Sequence, residues 1–209
     1  TSGNEVRTIL PKYGFVSERK YILREVIRLR EITFEFDGKD EIVSAKSAFI
    51  PKTRVQVYFL ENNEWFKPLS NLLYKAKNGR ILPDNDERYS YFSIASLATL
   101  PHLFWKPDVI ICNDWQNATT PMIYNQIYKS REFYEDIKTV LIVHNIDEHC
   151  TYDRSIYDKL GVKLPNKIVG NKINCYEAAI EDVDLLISLD STSKNNTKKL
   201  LQLPLVKAN

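Results

Sequence analysis

Three short, uninterrupted apolar runs punctuate the second half of this chain: residues 109–112 (VIIC), 138–143 (KTVLIV) and 184–188 (DLLIS). A strand with one face in water alternates polar and apolar residues, so a continuous run predicts a strand covered on both faces. Helical stretches separate the runs, and strands that alternate with helices build parallel sheets from βαβ units. The pattern predicts an α/β fold: a doubly wound parallel sheet flanked by helices.

The first half has a different rhythm. Residues 5–10 (EVRTIL) read as a strand stopped by Pro11, and a turn at Lys12-Tyr13-Gly14 follows. Residues 32–36, 42–50 and 55–60 are β-branched and aromatic with period-two alternation, the mark of a half-buried antiparallel ribbon, and Asp37-Gly38 is a hairpin turn. After Asn78-Gly79, the acidic segment Pro83-Asp84-Asn85-Asp86 leads into a capped, buried helix over 88–100. A helix near 118–128 carries Pro121, so it either starts late or kinks there. The polar, basic end from Lys194 to Asn209 reads as a helix with a fraying tail. No repeat interrupts residues 1–209, which form one domain.

Composition removes several functions. A net charge of +2 over 209 residues, with no basic face, argues against nucleic acid. The six glycines never come closer than Gly161 and Gly170, so neither a dinucleotide fingerprint nor a phosphate-binding P-loop can form. Cys112, Cys150 and Cys175 are odd in number and lack metal-type spacing, which suits a reducing compartment. No run is long and apolar enough for a membrane helix, and no secretory signal opens the chain, so the expectation is a cytoplasmic protein with no metal and no cofactor.

In open α/β sheets ligands bind beyond the carboxyl ends of the strands. That rule selects Asn113-Asp114-Trp115-Gln116, His144-Asn145 and Asp190-Ser191-Thr192. Together they offer a carboxylate, an imidazole and amides, a set suited to sugar hydroxyls. Each has an alternative: Asp114 as a helix cap, His144 as a structural histidine, Trp115 and Trp105 as core aromatics, and Asp190-Ser191-Thr192 as an N-cap. His102 and His149 read as structural, and Glu181, Asp182 and Asp184 as a solvated helix end and strand start.

Five segments, in order, resemble the N-terminal catalytic half of bacterial glycogen synthases and plant starch synthases. They are Asn4 through Gly14, Leu82 through Tyr89, Trp105 through Gln116, Lys138 through Ile146, and Gly170 through Ser188. The fourth, for instance, is similar to the family's KTVFTIHNL. The resemblance implies one Rossmann-like lobe of a two-lobed GT-B architecture. It also implies transfer of glucose from ADP-glucose to the non-reducing end of an α-1,4-glucan with retention, UDP-glucose being the other donor open. By position, His144 and Asp114 would be catalytic, while Asn145, Tyr74, Trp115 and Gln116 would line the substrate site. The family's glycine-rich KxGGL loop and first strand would precede Thr1, and its nucleotide-binding lobe would follow Asn209 or be supplied by a partner chain. Departures occur at Ile111 and Gln116, where the family has histidines, and at Glu148-His149-Cys150, where it has YQG. Residues such as Ser17-Glu18-Arg19 also resemble short bacterial proteins consisting of this half alone, which leaves a non-catalytic, glucan- or partner-binding relative as the alternative. A flavodoxin-like small-ligand domain is the third reading.

Overall fold

The structure, a computed structural model, describes residues 3–69, 71–191 and 195–204, together with the backbone but not the side chain of Glu148. Thr192, Lys194 and the tail from 205 onward, all singled out above, lie outside the described residues. Along the chain run β1 (Arg7–Pro11), α1 (Glu18–Tyr21), β2 (Arg24–Glu25), β3 (Ile32–Phe36), β4 (Lys39–Phe49), β5 (Gln56–Glu61) and α2 (Asn85–Thr99). The second half continues with β6 (Val109–Asn113), α3 (Thr120–Ile123), β7 (Lys138–Val143), β8 (Thr151–Asp153), α4 (Arg154–Leu160), β9 (Lys172–Asn174), α5 (Cys175–Ala179), β10 (Leu185–Ser188) and α6 (Asn196–Leu200).

The early ribbon forms as its alternation dictates. In β3, Ile32, Phe34 and Phe36 point inward while Thr33 and Glu35 face water. The hairpin to β4 turns through Asp37 and Gly38, both at positive φ, the geometry whose twist matches that of paired strands. β4 pairs antiparallel with β5, and β5 pairs parallel with β1, Arg7 opposite Gln56.

The apolar runs form a separate three-stranded parallel sheet in the order β10-β7-β6, Ile111 opposite Val140 and Val140 opposite Leu185. Two expectations change here. The parallel strands belong to two sheets, because β1 and β6 each end a sheet and do not pair with one another. The runs are also not covered on both faces. Thr139, Leu141, Val143 and Cys112 are buried on the side where α3 packs, whereas Val109, Ile111 and Leu185 on the other side are 45%, 58% and 52% exposed.

α2 is the central element, in contact with β3 and β5 as well as with α3 and α4. It begins at Asn85, three residues earlier than expected, and Asp84 makes no capping bond. Asp84 instead pairs with the guanidinium of Arg88 one turn on. Arg88 is buried, and it also donates to the Trp65 carbonyl at 2.9 Å and the Asn85 side chain at 2.8 Å, so its charge enters the core with partners on every side. α3 starts late, at Thr120, which puts Pro121 in its first turn, and a wider π-type turn carries the chain from Tyr124 to Tyr128.

Candidate functional site

The site is built where β6 and β7 end side by side. β6 stops at Asn113, and Asp114 takes φ 62° and ψ −174°, a conformation that costs a residue with a Cβ on the order of 1–3 kcal/mol. Its backbone N–H continues the ladder to the Ile142 carbonyl at 2.7 Å, and its side chain is thereby turned across to β7. Asp114 Oδ1 accepts the N–H of His144 at 3.1 Å, the N–H of Asn145 at 3.2 Å and the hydroxyl of Tyr176 at 2.5 Å. The helix-cap alternative for Asp114 therefore falls: the carboxylate makes no capping bond to the turn that follows it and instead ties two strand ends together.

His144 is held from both sides of its backbone. Its carbonyl accepts the amide of Asn196 at 2.9 Å, and the same amide donates to the Leu189 carbonyl at 2.7 Å, which joins β7 to the end of β10. The imidazole is exposed, with Nε2 3.3 Å from Asn113 Oδ1. Asn145 is half-buried, and its carbonyl lies 3.0 Å from the Tyr176 hydroxyl. Asp190 accepts the N–H of Thr197 at 2.9 Å, which lowers its carboxyl below the usual range. It thus serves the first turn of α6 as expected, although the N-cap position itself belongs to Asn195.

Asn113, Asp114, His144 and Asn145 come together; the other expected residues sit differently. Trp115 is 1% exposed and offers no face to a ligand. Its ring packs against Tyr74, Tyr89 and His149 at centroid distances of 5.6, 5.1 and 5.1 Å, so the core alternative holds for it. Tyr74 is half-buried and reaches the site only through that cluster, and Gln116 is half-buried in the turn after Asp114. Trp105 stacks under the Arg7 guanidinium, 4.5 Å from its ring centroid. Asp182 and Asp184 are not merely solvated. Asp182 accepts from Asn125 and Gln126, and Asp184 accepts the N–H of Thr139 at 2.8 Å, which lowers its carboxyl and clamps β10 to β7.

Two residues of the site were not anticipated, Tyr176 and Asn196. Tyr176 is fully buried, and that burial pushes its phenol well above the ordinary value, so it stays a hydrogen-bond donor. Neither sits in a strand-end loop, and nothing in their immediate sequence marks them. Among the described residues no group of three or more His, Cys, Asp or Glu could hold a metal, and no helix is long and apolar enough to cross a membrane.

Residues 1–198 match the family model of the starch synthase catalytic domain. The chain belongs to that family. Similar members include the glycogen synthase of Chlorobium limicola, 35% identical over 190 residues, and that of Chlorobium luteolum, 32% identical over 205. The alignments cover 88% and 95% of this chain but 38% and 40% of those proteins, so the chain spans about two fifths of the length of the curated relatives it matches. The catalytic domain of starch synthase IV from Arabidopsis thaliana, solved with ADP and acarbose bound, superposes with a TM-score of 0.73 at 24% identity, covering 88% of this chain and 38% of that one. The shared fold is the GT-B type. Within this family member, three of the five resembling segments, those ending on Gln116, Ile146 and Ser188, meet at the carboxyl ends of β6, β7 and β10.

Proposed function

We propose that this chain is the N-terminal lobe of a retaining glucosyltransferase that moves glucose from ADP-glucose to the non-reducing end of an α-1,4-glucan. The observation that carries this reading is the convergence of Asn113, Asp114 and His144, donors and acceptors in fixed positions, at the strand ends where open α/β sheets bind ligands. The family membership and the ADP- and acarbose-bound structural relative support it. In this reading the exposed imidazole of His144 hydrogen-bonds the donor glucose. Asp114 contributes by holding the His144-Asn145 loop in place, and Asn145, together with Tyr74 and Gln116 further off, belongs to the substrate side of the site. Interactions set in advance around developing charge favour an oxocarbenium-like transition state, while the diphosphate is met by the second lobe. The reading involves no resident cofactor, no nucleic acid and no membrane, and it places the protein in the cytoplasm.

The same reading gives the lobe one more parallel strand. β1 and β6 present their free edges to a cleft of about 140 Å³ whose walls include Ile9, Leu97, Leu100, Ile110 and Cys112. A strand seated there would join the two sheets into one, as the resemblance implies.

The deciding experiment is incorporation of labelled glucose from ADP-glucose into glycogen by the full-length protein. His144→Ala should lower turnover by roughly a hundredfold or more, the usual effect of losing one preset transition-state contact. Unchanged turnover would remove the role given to His144.

A further inference from the structure

We propose that Tyr176 is a positioning residue: its buried hydroxyl locks the Asp114 carboxylate and thereby sets where the His144-Asn145 loop presents the imidazole. The functional half of this inference rests on the reading of His144 given above.

Tyr176 is delivered by β8, β9 and α5 rather than by β6 or β7 themselves. β9 pairs antiparallel with β8, Thr151 opposite Asn174, and Asn174 then caps α5 by accepting the N–H groups of Tyr176 and Glu177 at 3.0 and 3.2 Å. β8 is tied in turn to the aromatic core through the Tyr152 hydroxyl, 2.8 Å from the Trp115 carbonyl. The phenol therefore enters from a fixed direction and is 0% exposed.

Its one proton faces two acceptors, Asp114 Oδ1 at 2.5 Å and the Asn145 carbonyl at 3.0 Å. The shorter contact to a carboxylate oxygen is the stronger, because charge-assisted O–H bonds to an anion are short and about twice as strong as neutral ones. The same Oδ1 is what the N–H groups of His144 and Asn145 donate to. Three donors thus share one oxygen, and only Tyr176 comes from outside the two strands. Asp114 holds a positive-φ backbone that relaxes if its side chain is released, and its release moves the loop carrying His144.

The test compares Tyr176→Phe with Tyr134→Phe. Tyr134 also donates a buried hydroxyl bond, 2.8 Å to the Leu97 carbonyl, at a place remote from the site, so it matches the loss of a buried bond without touching Asp114. In hydrogen-exchange NMR, Tyr176→Phe should speed exchange of the His144 and Asn145 amides by about tenfold or more and displace the His144 imidazole signals, since bonds to charged groups carry that much free energy. Tyr134→Phe should leave both as in the wild type. Should Tyr176→Phe not fold, Asp114→Asn must reproduce the displaced imidazole and the faster exchange. Wild-type exchange and imidazole signals at His144 in Tyr176→Phe, or in Asp114→Asn where that is the variant that folds, overturn the proposal. A kinetic arm then asks about function: Tyr176→Phe should lower kcat for glucose transfer with KM for the glucan unchanged. If the wild-type protein transfers no glucose, the function reading fails while the NMR arm still decides the role of Tyr176.

Discussion

The carboxylate of Asp114, one residue past β6, accepts the backbone N–H of His144, one residue past β7, at 3.1 Å. One side chain thus sets the spacing of the two loops that carry the candidate site, and it does so from a strained backbone. Asp114→Ala should destabilise the protein by about 1–3 kcal/mol, because the buried Tyr176 hydroxyl and two loop N–H groups lose a charged acceptor. Asp114→Gly should cost about 1 kcal/mol less than Ala, since glycine adopts positive φ freely. Urea unfolding of both variants checks the order; a glycine variant weaker than the alanine one would show that the backbone carries no strain.

The basic side chains of Lys12 and Lys46 lie 2.8 and 2.6 Å from the carboxylate of Glu18. The hydrogen bond from Lys12, followed by that from Lys46, holds this carboxyl at about 2 against an ordinary 4.5. A carboxyl depressed by folding stabilises the native state above its unfolded pKa and loses that contribution as pH falls. The window is therefore pH 4.5 down to 2. Glu18→Gln should flatten the stability profile across that range, and at neutral pH it should cost less than about 1 kcal/mol because the group is half exposed. Urea midpoints at pH 3 and pH 7 measure both effects.

At Gly14 a Cβ would stand 2.1 Å from the Lys67 carbonyl oxygen, a backbone atom with no room to move. Gly14 also donates its N–H to the Phe66 carbonyl at 3.1 Å, so the two segments cannot separate without losing that bond. Gly14→Ala should destabilise by about 2 kcal/mol or more, in the range of overpacked sites. A thermal midpoint equal to that of the wild type would contradict this account.

The buried amide of Asn196 supplies both its protons to backbone carbonyls, those of His144 and Leu189. Asn196→Ala should cost about 1–3 kcal/mol, the penalty of leaving buried acceptors unpaired. Asn196→Asp should cost more, because it sets a carboxylate against two carbonyl oxygens. Denaturation of the two variants at pH 7 ranks them.

Much of the fold is legible residue by residue. The alternation of Ile32, Phe34 and Phe36, with Asp37-Gly38 after it, defines a hairpin through local preferences alone. The apolar runs become β6, β7 and β10 in parallel order. Their continuous apolarity misleads on burial, however. It records the side chains a strand carries, whereas the exposure of Val109 and Ile111 depends on which helices reach the outer side.

The sequence by itself determined the family, through the order of five resembling segments, and most of the strands with the two loops where Asp114 and His144 stand, through neighbours a few positions apart; the short β2, β8 and β9 were not anticipated. Only the tertiary structure decided what each polar group does. Asp114 has a turn to cap beside it and instead bonds residues 30 and 31 positions away and a tyrosine 62 positions away. Trp115 stands in a strand-end loop yet joins the core. The physical reason is the same in both cases: a side chain's partner is fixed by which distant segments the folded chain brings within 3 Å, and no local pattern encodes that.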